Sequence, residues 1–306
     1  MQYQPIEVRD RSPADDADIV ELLNHRSIEN PPIEVDTYSQ AIVTHSTRLI
    51  AVSGGSIIAH AQSDPAWWTG EPNTFAVDVC VDRPARGHGA GTALYHALLE
   101  RLTVPCRLST WVERGDKPSI RFAERRGFIA SGQVIEESRL DVADAQLADA
   151  SDLRRRLRHE GIVIESLSNH DLTAPFLEAL YRVWSDAEGT APKEDMRRQV
   201  LEGPGLTLET IWVALEGEQP VGMAYLKRLS THAAESDYTT VIGSHQGRGI
   251  ARALKHESIR WAMSHKIEAI YTSSVLTNRR MLEINHRLGY RPVALKSEMS
   301  ASLPAG

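Results

Sequence analysis

The stretch Gln246-Gly247-Arg248-Gly249-Ile250-Ala251 decides the fold of this chain. It follows a short apolar run at residues 238–242 and opens a helix-like segment at residues 252–265. Two glycines at alternate positions before a helix expose successive backbone N–H groups, and the first helical turn adds unpaired donors and the positive end of the helix dipole. The pattern therefore predicts a binding site for a phosphate or a pyrophosphate.

The same pattern occurs twice. Arg86-Gly87-His88-Gly89-Ala90-Gly91 follows the apolar run at residues 75–81, and Gln246 lies 160 positions after Arg86. The pair Gly289-Tyr290 lies 162 positions after Gly127-Phe128, and the order of predicted strands and helices returns between these landmarks. These offsets predict an α+β chain of two tandem domains, each a mixed, mostly antiparallel sheet flanked by helices. We place the domains at residues 1–145 and 161–306, joined by a polar linker at 146–160.

Composition limits the classes of function. With 306 residues, of which 42% are hydrophobic, the chain can bury two cores. Its net charge of -7 argues against nucleic acid or an anionic membrane as a partner and suits cationic or amine substrates. No segment has the length of a membrane span and the N-terminus has no leader pattern, so we expect a cytoplasmic protein. Cys80 and Cys106 lie in apolar runs without metal-ligand spacing, and we expect buried, reduced thiols and no bound metal.

Two familiar phosphate-binding motifs fail in detail. A dinucleotide-binding turn needs a third small residue where this chain has Thr92 and Arg252. A nucleotide P-loop needs Gly-Lys-Ser/Thr at its end, and neither copy has it. Redox chemistry with a nicotinamide cofactor is therefore a remote alternative.

Both glycine-rich turns match the Gln/Arg-x-x-Gly-x-Gly/Ala signature, and in this they resemble the GNAT superfamily of acetyl-CoA-dependent N-acetyltransferases. Each copy is followed by a segment similar to that family's second landmark, at residues 119–128 and 278–290. The resemblance covers nearly the whole chain. The second half is also similar to the tandem-GNAT group that includes mycothiol synthase.

The resemblance implies which residues bind acetyl-CoA. In the family, backbone N–H groups of the turn hold the pyrophosphate of coenzyme A, and the preceding strand hydrogen-bonds the pantetheine arm. The implied residues are Val241, Ile242, Gln246, Gly247, Arg248, Gly249, Ile250 and Ala251 in the second copy, and Val79, Val81, Arg86, Gly87, His88, Gly89, Ala90 and Gly91 in the first. Asn278 and Asn285 are candidates for contacts along the arm, with a helix N-cap as the alternative role of Asn278.

The general base distinguishes the two copies. In many members of the family the base is a glutamate eleven residues before the signature, where this chain has Glu235 in the second copy and Phe75 in the first. Asp237 would share a strand face with Glu235, so both could line the same pocket for the acceptor substrate. Like charges with partial burial would raise the pKa of the glutamate. Lys227 could contact a polar acceptor. We therefore expect catalysis in the C-terminal copy, with a solvated strand-start residue as the alternative role of Glu235.

Other carboxylates and acids are weaker candidates. Asp78 has an odd offset from Phe75, which places it on the opposite strand face unless a bulge intervenes. The tyrosine that in many family members protonates the coenzyme thiolate is replaced by Ala123 and Asn285. Protonation would then fall to water or to a tyrosine such as Tyr271 or Tyr290, whose alternative role is packing.

The predicted function is transfer of an acetyl group from acetyl-CoA to a primary amine of a small molecule, either aminosugar-like or derived from an amino acid. We expect a monomer or a homodimer, with no nucleic-acid or membrane partner. The alternatives are a non-catalytic protein that binds or senses acyl-CoA, and an enzyme of the mycothiol synthase type.

Overall fold

The computed structural model describes residues 5–25, 31–40, 46–66, 69, 71, 73–188 and 196–304. The chain forms two compact units, of which the first contains Met1–Val134 with Leu295–Gly306 and the second contains Ile135–Ala294. Both are α+β, so the predicted fold class of two tandem domains with mixed sheets is confirmed. Within the described ranges, no helix is long and apolar enough to cross a membrane.

The first unit contains five whole strands and parts of two others, β6 and the last strand of the chain. Its elements are β1 (Glu7–Asp10), α1 (Asp16–Asn24), α2 (Val35–Gln40), β2 (Thr47–Ser53), β3 (Ser56–Pro65), β4 (Thr74–Val81), α3 (Ala90–Leu99), β5 (Cys106–Glu113), α4 (Lys117–Glu124) and the first half of β6 (Ile129–Asp141). Strands β1 to β4 pair antiparallel in order, while β4 and β5 are parallel. Helix α3 packs its buried residues Ala90, Leu94 and Leu98 on one face of this sheet, where they form the main core.

The second unit repeats this plan. Its elements after β6 are α5 (Ala150–His159), β7 (Ile162–Ser166), α6 (Ala174–Glu188), β8 (Ile211–Glu216), β9 (Gln219–Arg228), β10 (Ala233–Val241), α7 (Ile250–Ser264), β11 (Ala269–Val275), α8 (Arg279–Leu288) and the start of β12 (Arg291–Leu303). Strands β7 to β10 pair antiparallel in order, and β10 and β11 are parallel. Helix α7 occupies the place that α3 has in the first unit, and its Ala253 and Leu254 lie in the core.

The long strands β6 and β12 each serve both units. Residues 135–141 of β6 pair antiparallel with β11 of the second unit, and residues 296–303 of β12 pair with β5 of the first. The sequence predicts a separate closing strand pair in each half and a boundary at residue 145. The compact units differ from that prediction, because β6 has no glycine or proline after Gly132 that would turn the chain back.

The predicted linker contains a packed helix. Leu153 and Leu157 of α5 are 4% and 1% exposed and belong to the core of the second unit. Their spacing of four places both on one helical face, while Arg155 between them is exposed. A short apolar stripe in a charged segment thus makes residues 150–159 part of the second unit.

Candidate active site and coenzyme-binding turns

The two signature turns have the same backbone conformation. The first glycine of each, Gly87 or Gly247, has a φ of 81° or 79°, and the second, Gly89 or Gly249, has a φ of 95° or 89° and precedes the helix as its N-cap. These left-handed angles favour glycine at all four positions. The predicted anion-binding turn is therefore formed twice.

The first residue of each signature closes its turn in the same way. Arg86 donates from Nε to the carbonyl oxygen of Val81 at 3.0 Å, and Gln246 donates from Nε2 to the carbonyl oxygen of Val241 at 3.1 Å. The side chain thereby joins the turn to the end of the strand before it. Arginine and glutamine can exchange here because each reaches the carbonyl with an N–H donor.

A cavity of about 1770 Å³ lies at the first turn. It is lined by the turn, the ends of β4 and β5 and helix α4. A Cβ atom on Gly87 or Gly89 would meet no atom within 4 Å, so this side of the turn is open. Gly91 faces the other way, because a Cβ there would lie 3.2 Å from Val81 and 3.3 Å from Phe122. Glycine at this third position lets α3 approach both β4 and α4 closely.

Strands β4 and β5 separate beside this cavity. Their last paired residues are Ala76 and Ser109, beyond which the ladder ends. Since the N–H of Asp82 bonds to Ile58, alternate residues of β4 direct their backbone groups to β3, and Val79 and Val81 direct theirs to the gap. The gap thus offers an extended ligand the backbone groups of Val79 and the N–H of Val81, whose carbonyl oxygen accepts from Arg86.

Helix α5 lies against the second glycine of the second turn. A Cβ atom on Gly249 would lie 3.0 Å from Leu153 and 3.1 Å from Nη2 of Arg156, whereas the same atom on Gly89 would be in open space. Arg156 donates to the carbonyl oxygen of Arg248 at 2.8 Å, and Arg248 pairs with Glu160 at 3.1 Å. The segment after the predicted boundary therefore lies against Arg248 and Gly249 of this turn, whereas a Cβ atom on Gly247 would meet no atom within 4 Å.

The interior behind the second turn is polar. Lys255 of α7 is 2% exposed and donates from Nζ to Oγ of Ser236 at 2.9 Å, and its Nζ lies 5.1 Å from the centre of the Tyr290 ring. Burial lowers the pKa of Lys255 to about 7 and raises that of Tyr290. At the offsets of the repeat the first unit has Tyr95 and Phe128, whose rings pack edge to face.

A bulge in β10 arranges the predicted acidic group. Glu235 lies opposite Lys227 and Tyr238 lies opposite Tyr225, so that residues 236 and 237 together face one residue of β9. Asp237 is exposed as a residue, but desolvation by the surrounding protein is the largest effect on its carboxylate. This desolvation raises the pKa of Asp237, against the opposing effects of Lys227 and of a hydrogen bond from Tyr225.

The sequence profile of the Acetyltransferase (GNAT) family matches residues 17–128 and 173–290. The chain belongs to this family. The prediction of an acetyltransferase is thereby confirmed at the level of the family. No curated protein sequence matches the chain significantly.

Solved structures share the fold over the whole chain. A tandem GNAT protein from the clavulanic acid biosynthesis pathway is 16% identical, with a TM-score of 0.73 and coverage of 99% of this chain and 100% of that one. A GCN5-related N-acetyltransferase from Sphaerobacter thermophilus is 14% identical, with a TM-score of 0.70 and coverage of 98% and 96%. A glucosamine N-acetyltransferase region of a fungal multi-domain β-N-acetylglucosaminidase is 13% identical, with a TM-score of 0.71 and coverage of 97% and 38%. These identities support the fold alone.

The bulge corrects the comparison of Glu235 with Phe75. Glu235 is the last β10 residue paired with the parallel strand, a place that Ala76 has in the first GNAT unit, while Phe75 corresponds to Ala234. The equivalent residue lies eleven positions before Gln246 in the second unit but ten positions before Arg86 in the first, because only β10 contains the extra residue of the bulge. The absence of a carboxylate at this place in the first unit is unaffected.

The same correction changes the position of Asp78. Phe75 and Val77 of β4 pack in the core under α3. Because side chains alternate along a strand, Ala76 and Asp78 face the other side of the sheet. In the second GNAT unit Ala234 lies in the core and Glu235 faces away from α7. Asp78 therefore lies on the sheet face that Glu235 uses, and its odd offset does not exclude it.

The asparagines have structural partners. Asn278 is the N-cap of α8 and accepts from the N–H of Met281 at 3.2 Å, which confirms the capping alternative. Asn285 is 1% exposed and donates to Oγ of Ser274 at 3.3 Å, while its Oδ1 has no hydrogen-bond partner among the described residues. The N–H of Ile242 is bonded to Val221, so this predicted donor to the pantetheine arm is already used. Cys80 and Cys106 are buried, as predicted.

Sequence reasoning missed two features of the second GNAT unit. One is the packing of α5 against Gly249. The spacing of Leu153 and Leu157 could have indicated this helix. The other is Lys255, a lysine placed directly after Ala253 and Leu254 in a buried helical stripe. A lysine within an apolar stripe was visible in the sequence, but its hydrogen bond to Ser236 depends on the bulge.

Proposed function

We propose that this protein transfers an acetyl group from acetyl-CoA to the primary amine of a small molecule, and that the coenzyme binds in the first GNAT unit. The observation that carries this proposal is the contrast between the two turns. The turn at residues 86–91 borders the large cavity, whereas α5 lies against the turn at residues 246–251. This reverses the division of labour expected from the sequence.

The first unit supplies what a coenzyme A site needs. Backbone N–H groups of the turn would bind the pyrophosphate, since the helix dipole and the left-handed glycines direct donors at it. The exposed backbone positions of Val79 and Val81 would hydrogen-bond the pantetheine arm as a neighbouring strand would. Acetyl-CoA then brings the activated acetyl group to the end of the gap between β4 and β5.

An alternative places the reaction in the second unit, with Glu235 as the general base. The observation in its favour is the desolvated carboxylate of Asp237 on the same strand, beside Lys227. A base there needs an acetyl donor at the second turn, so this alternative requires α5 to move away from Gly249. Acyl-CoA binding without turnover and chemistry of the mycothiol synthase type remain further alternatives for the same fold.

A matched pair of variants separates these possibilities. Gly87 and Gly247 have nearly equal φ angles and no atom within 4 Å of an added Cβ, so Gly87→Glu and Gly247→Glu carry the same local strain. A carboxylate at either turn would repel a pyrophosphate. We expect Gly87→Glu to weaken acetyl-CoA binding, measured by calorimetry, at least tenfold and to abolish amine-dependent thiol release, while Gly247→Glu retains both.

The opposite result, with loss only in Gly247→Glu, would assign the coenzyme to the second unit. Coenzyme binding that survives in both variants would refute the proposed mode of pyrophosphate binding. Binding without thiol release across aminosugars, amino acids and polyamines would favour the sensing alternative.

A further inference from the structure

Strand β12, which starts in the second unit and pairs with β5 of the first, brings a carboxylate into the first GNAT unit. Glu298 lies opposite Trp111 of β5 and is half-buried. Its Oε1 accepts a hydrogen bond from Ser109 at 2.8 Å, and its Oε2 accepts one from Ser131 at 2.6 Å. Both serines belong to the first unit, so the carboxylate has a defined position there.

Glu298 faces the side of the sheet opposite α3. Leu108 and Val112 of β5, with Met299 and Ala301 of β12, pack in the core under that helix. Because side chains alternate along a strand, Ser109, Trp111 and Glu298 face the other side. Asp78 of β4 faces this side too, and Asp78 and Trp111 both contribute to the lining of the cavity.

This carboxylate lies at the closed end of the gap between β4 and β5. The ladder of these strands ends at Ala76 and Ser109. The hydroxyl of Ser109 is hydrogen-bonded to Glu298. An arm that starts at the turn and follows β4 from Val81 to Ala76 extends about 17 Å, at about 3.3 Å per residue. If acetyl-CoA binds as proposed above, its thioester therefore ends near Ser109 and Glu298.

The group has the chemistry of a cation site. Two serine hydroxyls use one lone pair on each oxygen of Glu298, and a carboxylate has about four such acceptor positions. The neighbouring indole of Trp111 attracts a cation to its ring face. A hydroxyl-anchored carboxylate beside an indole suits an alkylammonium ion better than a neutral or anionic group.

We propose that Glu298, together with Trp111, binds the ammonium group of the acceptor, and that the acceptor is an alkylamine that is a cation at neutral pH. The C-terminal strand thus supplies an acceptor-binding residue to the first unit. This inference rests on the proposed function for the position of the thioester, but the binding of the amine can be measured separately.

The test compares Glu298→Gln with wild type and with Glu100→Gln, an exposed glutamate at the end of α3. The probe is 1-aminopentane, titrated calorimetrically into protein saturated with coenzyme A, with 1-pentanol as the uncharged control. We expect Glu298→Gln to weaken amine binding at least tenfold and to leave acetyl-CoA affinity unchanged. Glu100→Gln should match wild type, and pentanol should bind all three proteins equally weakly.

Steady-state kinetics add a second readout. In Glu298→Gln the KM for the amine should rise at least tenfold, with the KM for acetyl-CoA unchanged, and Glu298→Asp should recover part of the loss. A purely structural role would instead lower the thermal midpoint and weaken coenzyme binding along with amine binding. Equal amine binding by Glu298→Gln and wild type, or no amine binding by wild type, would overturn the inference. Loss of coenzyme binding in Gly87→Glu would leave the proposed function standing in either case.

Discussion

The two GNAT units have the same turn and different surroundings. Gly89 and Gly249 have φ angles within a few degrees of each other, but only Gly249 has a helix against it. The interiors differ as well, since Tyr95 and Phe128 of the first unit correspond to Lys255 and Tyr290 of the second. A signature motif therefore determines the conformation of a binding turn, while the segments outside the motif determine whether a ligand can reach it.

The largest expected effect comes from removing the exchanged strand. A chain that ends at residue 294 loses all eight cross-strand pairs between β12 and β5, together with Lys296, which lines the cavity. Met299 and Ala301 also leave the core. We expect acetyl-CoA binding to fall below detection by calorimetry, because β5 then becomes an unpaired edge beside the gap.

A chain shortened by only its last two residues is the control and should bind acetyl-CoA as wild type does. If the chain ending at 294 kept full affinity for acetyl-CoA, the first unit would not need β12 to bind the coenzyme. The difference between the two units would then lie elsewhere.

The second-largest effect concerns Lys255, the buried lysine of the second unit. The pKa of Lys255 is about 7 in the folded chain and about 10.5 when unfolded, so between these pH values the unfolded state binds one proton more. The free energy of unfolding should therefore rise with pH across this window, by about 1.4 kcal/mol per pH unit from this group. Below pH 7 both states are protonated and the contribution becomes constant.

Lys255→Met should remove this slope, and urea unfolding at several values between pH 7 and pH 9 measures it. Lys117→Met, at an exposed position at the start of α4, is the control and should keep the wild-type slope. An unchanged slope in Lys255→Met would mean that the lysine is protonated in the folded protein, and the polar interior would then not distinguish the second unit in this way.

The turns and the repeat could be predicted because they depend on local residue types. Alternate glycines before a helix have few backbone solutions, and the offsets of 160 and 162 are properties of the chain itself. The bulge at Ser236 and Asp237 could not be predicted in this way. No glycine marks it, and it is defined only by the pairing of β10 with β9.

The pairing of β6 with the second unit and of β12 with the first could not be predicted from local residue types either. A strand of 13 residues can pair with any edge of suitable length, and nothing within Ile129–Asp141 selects the edge of β11 over that of β5. Helix α5 differs, because Leu153 and Leu157 did carry a signal that was outweighed by the charged residues around them. The glycine-rich turns of the candidate site were therefore predictable, whereas the strands and the helix that surround them were not.

The smallest expected effect compares equivalent caps. Asp116 caps α4 by accepting from the N–H of Ser119, and Asn278 caps α8 by accepting from the N–H of Met281, both at 3.2 Å. Asp116→Ala and Asn278→Ala should each destabilise their unit by about 1 kcal/mol, which urea unfolding detects. Only Asp116 also lines the cavity, so only its removal should change acetyl-CoA affinity. A change of coenzyme affinity in Asn278→Ala alone would restore the arm contact expected from the sequence and with it a coenzyme site in the second unit.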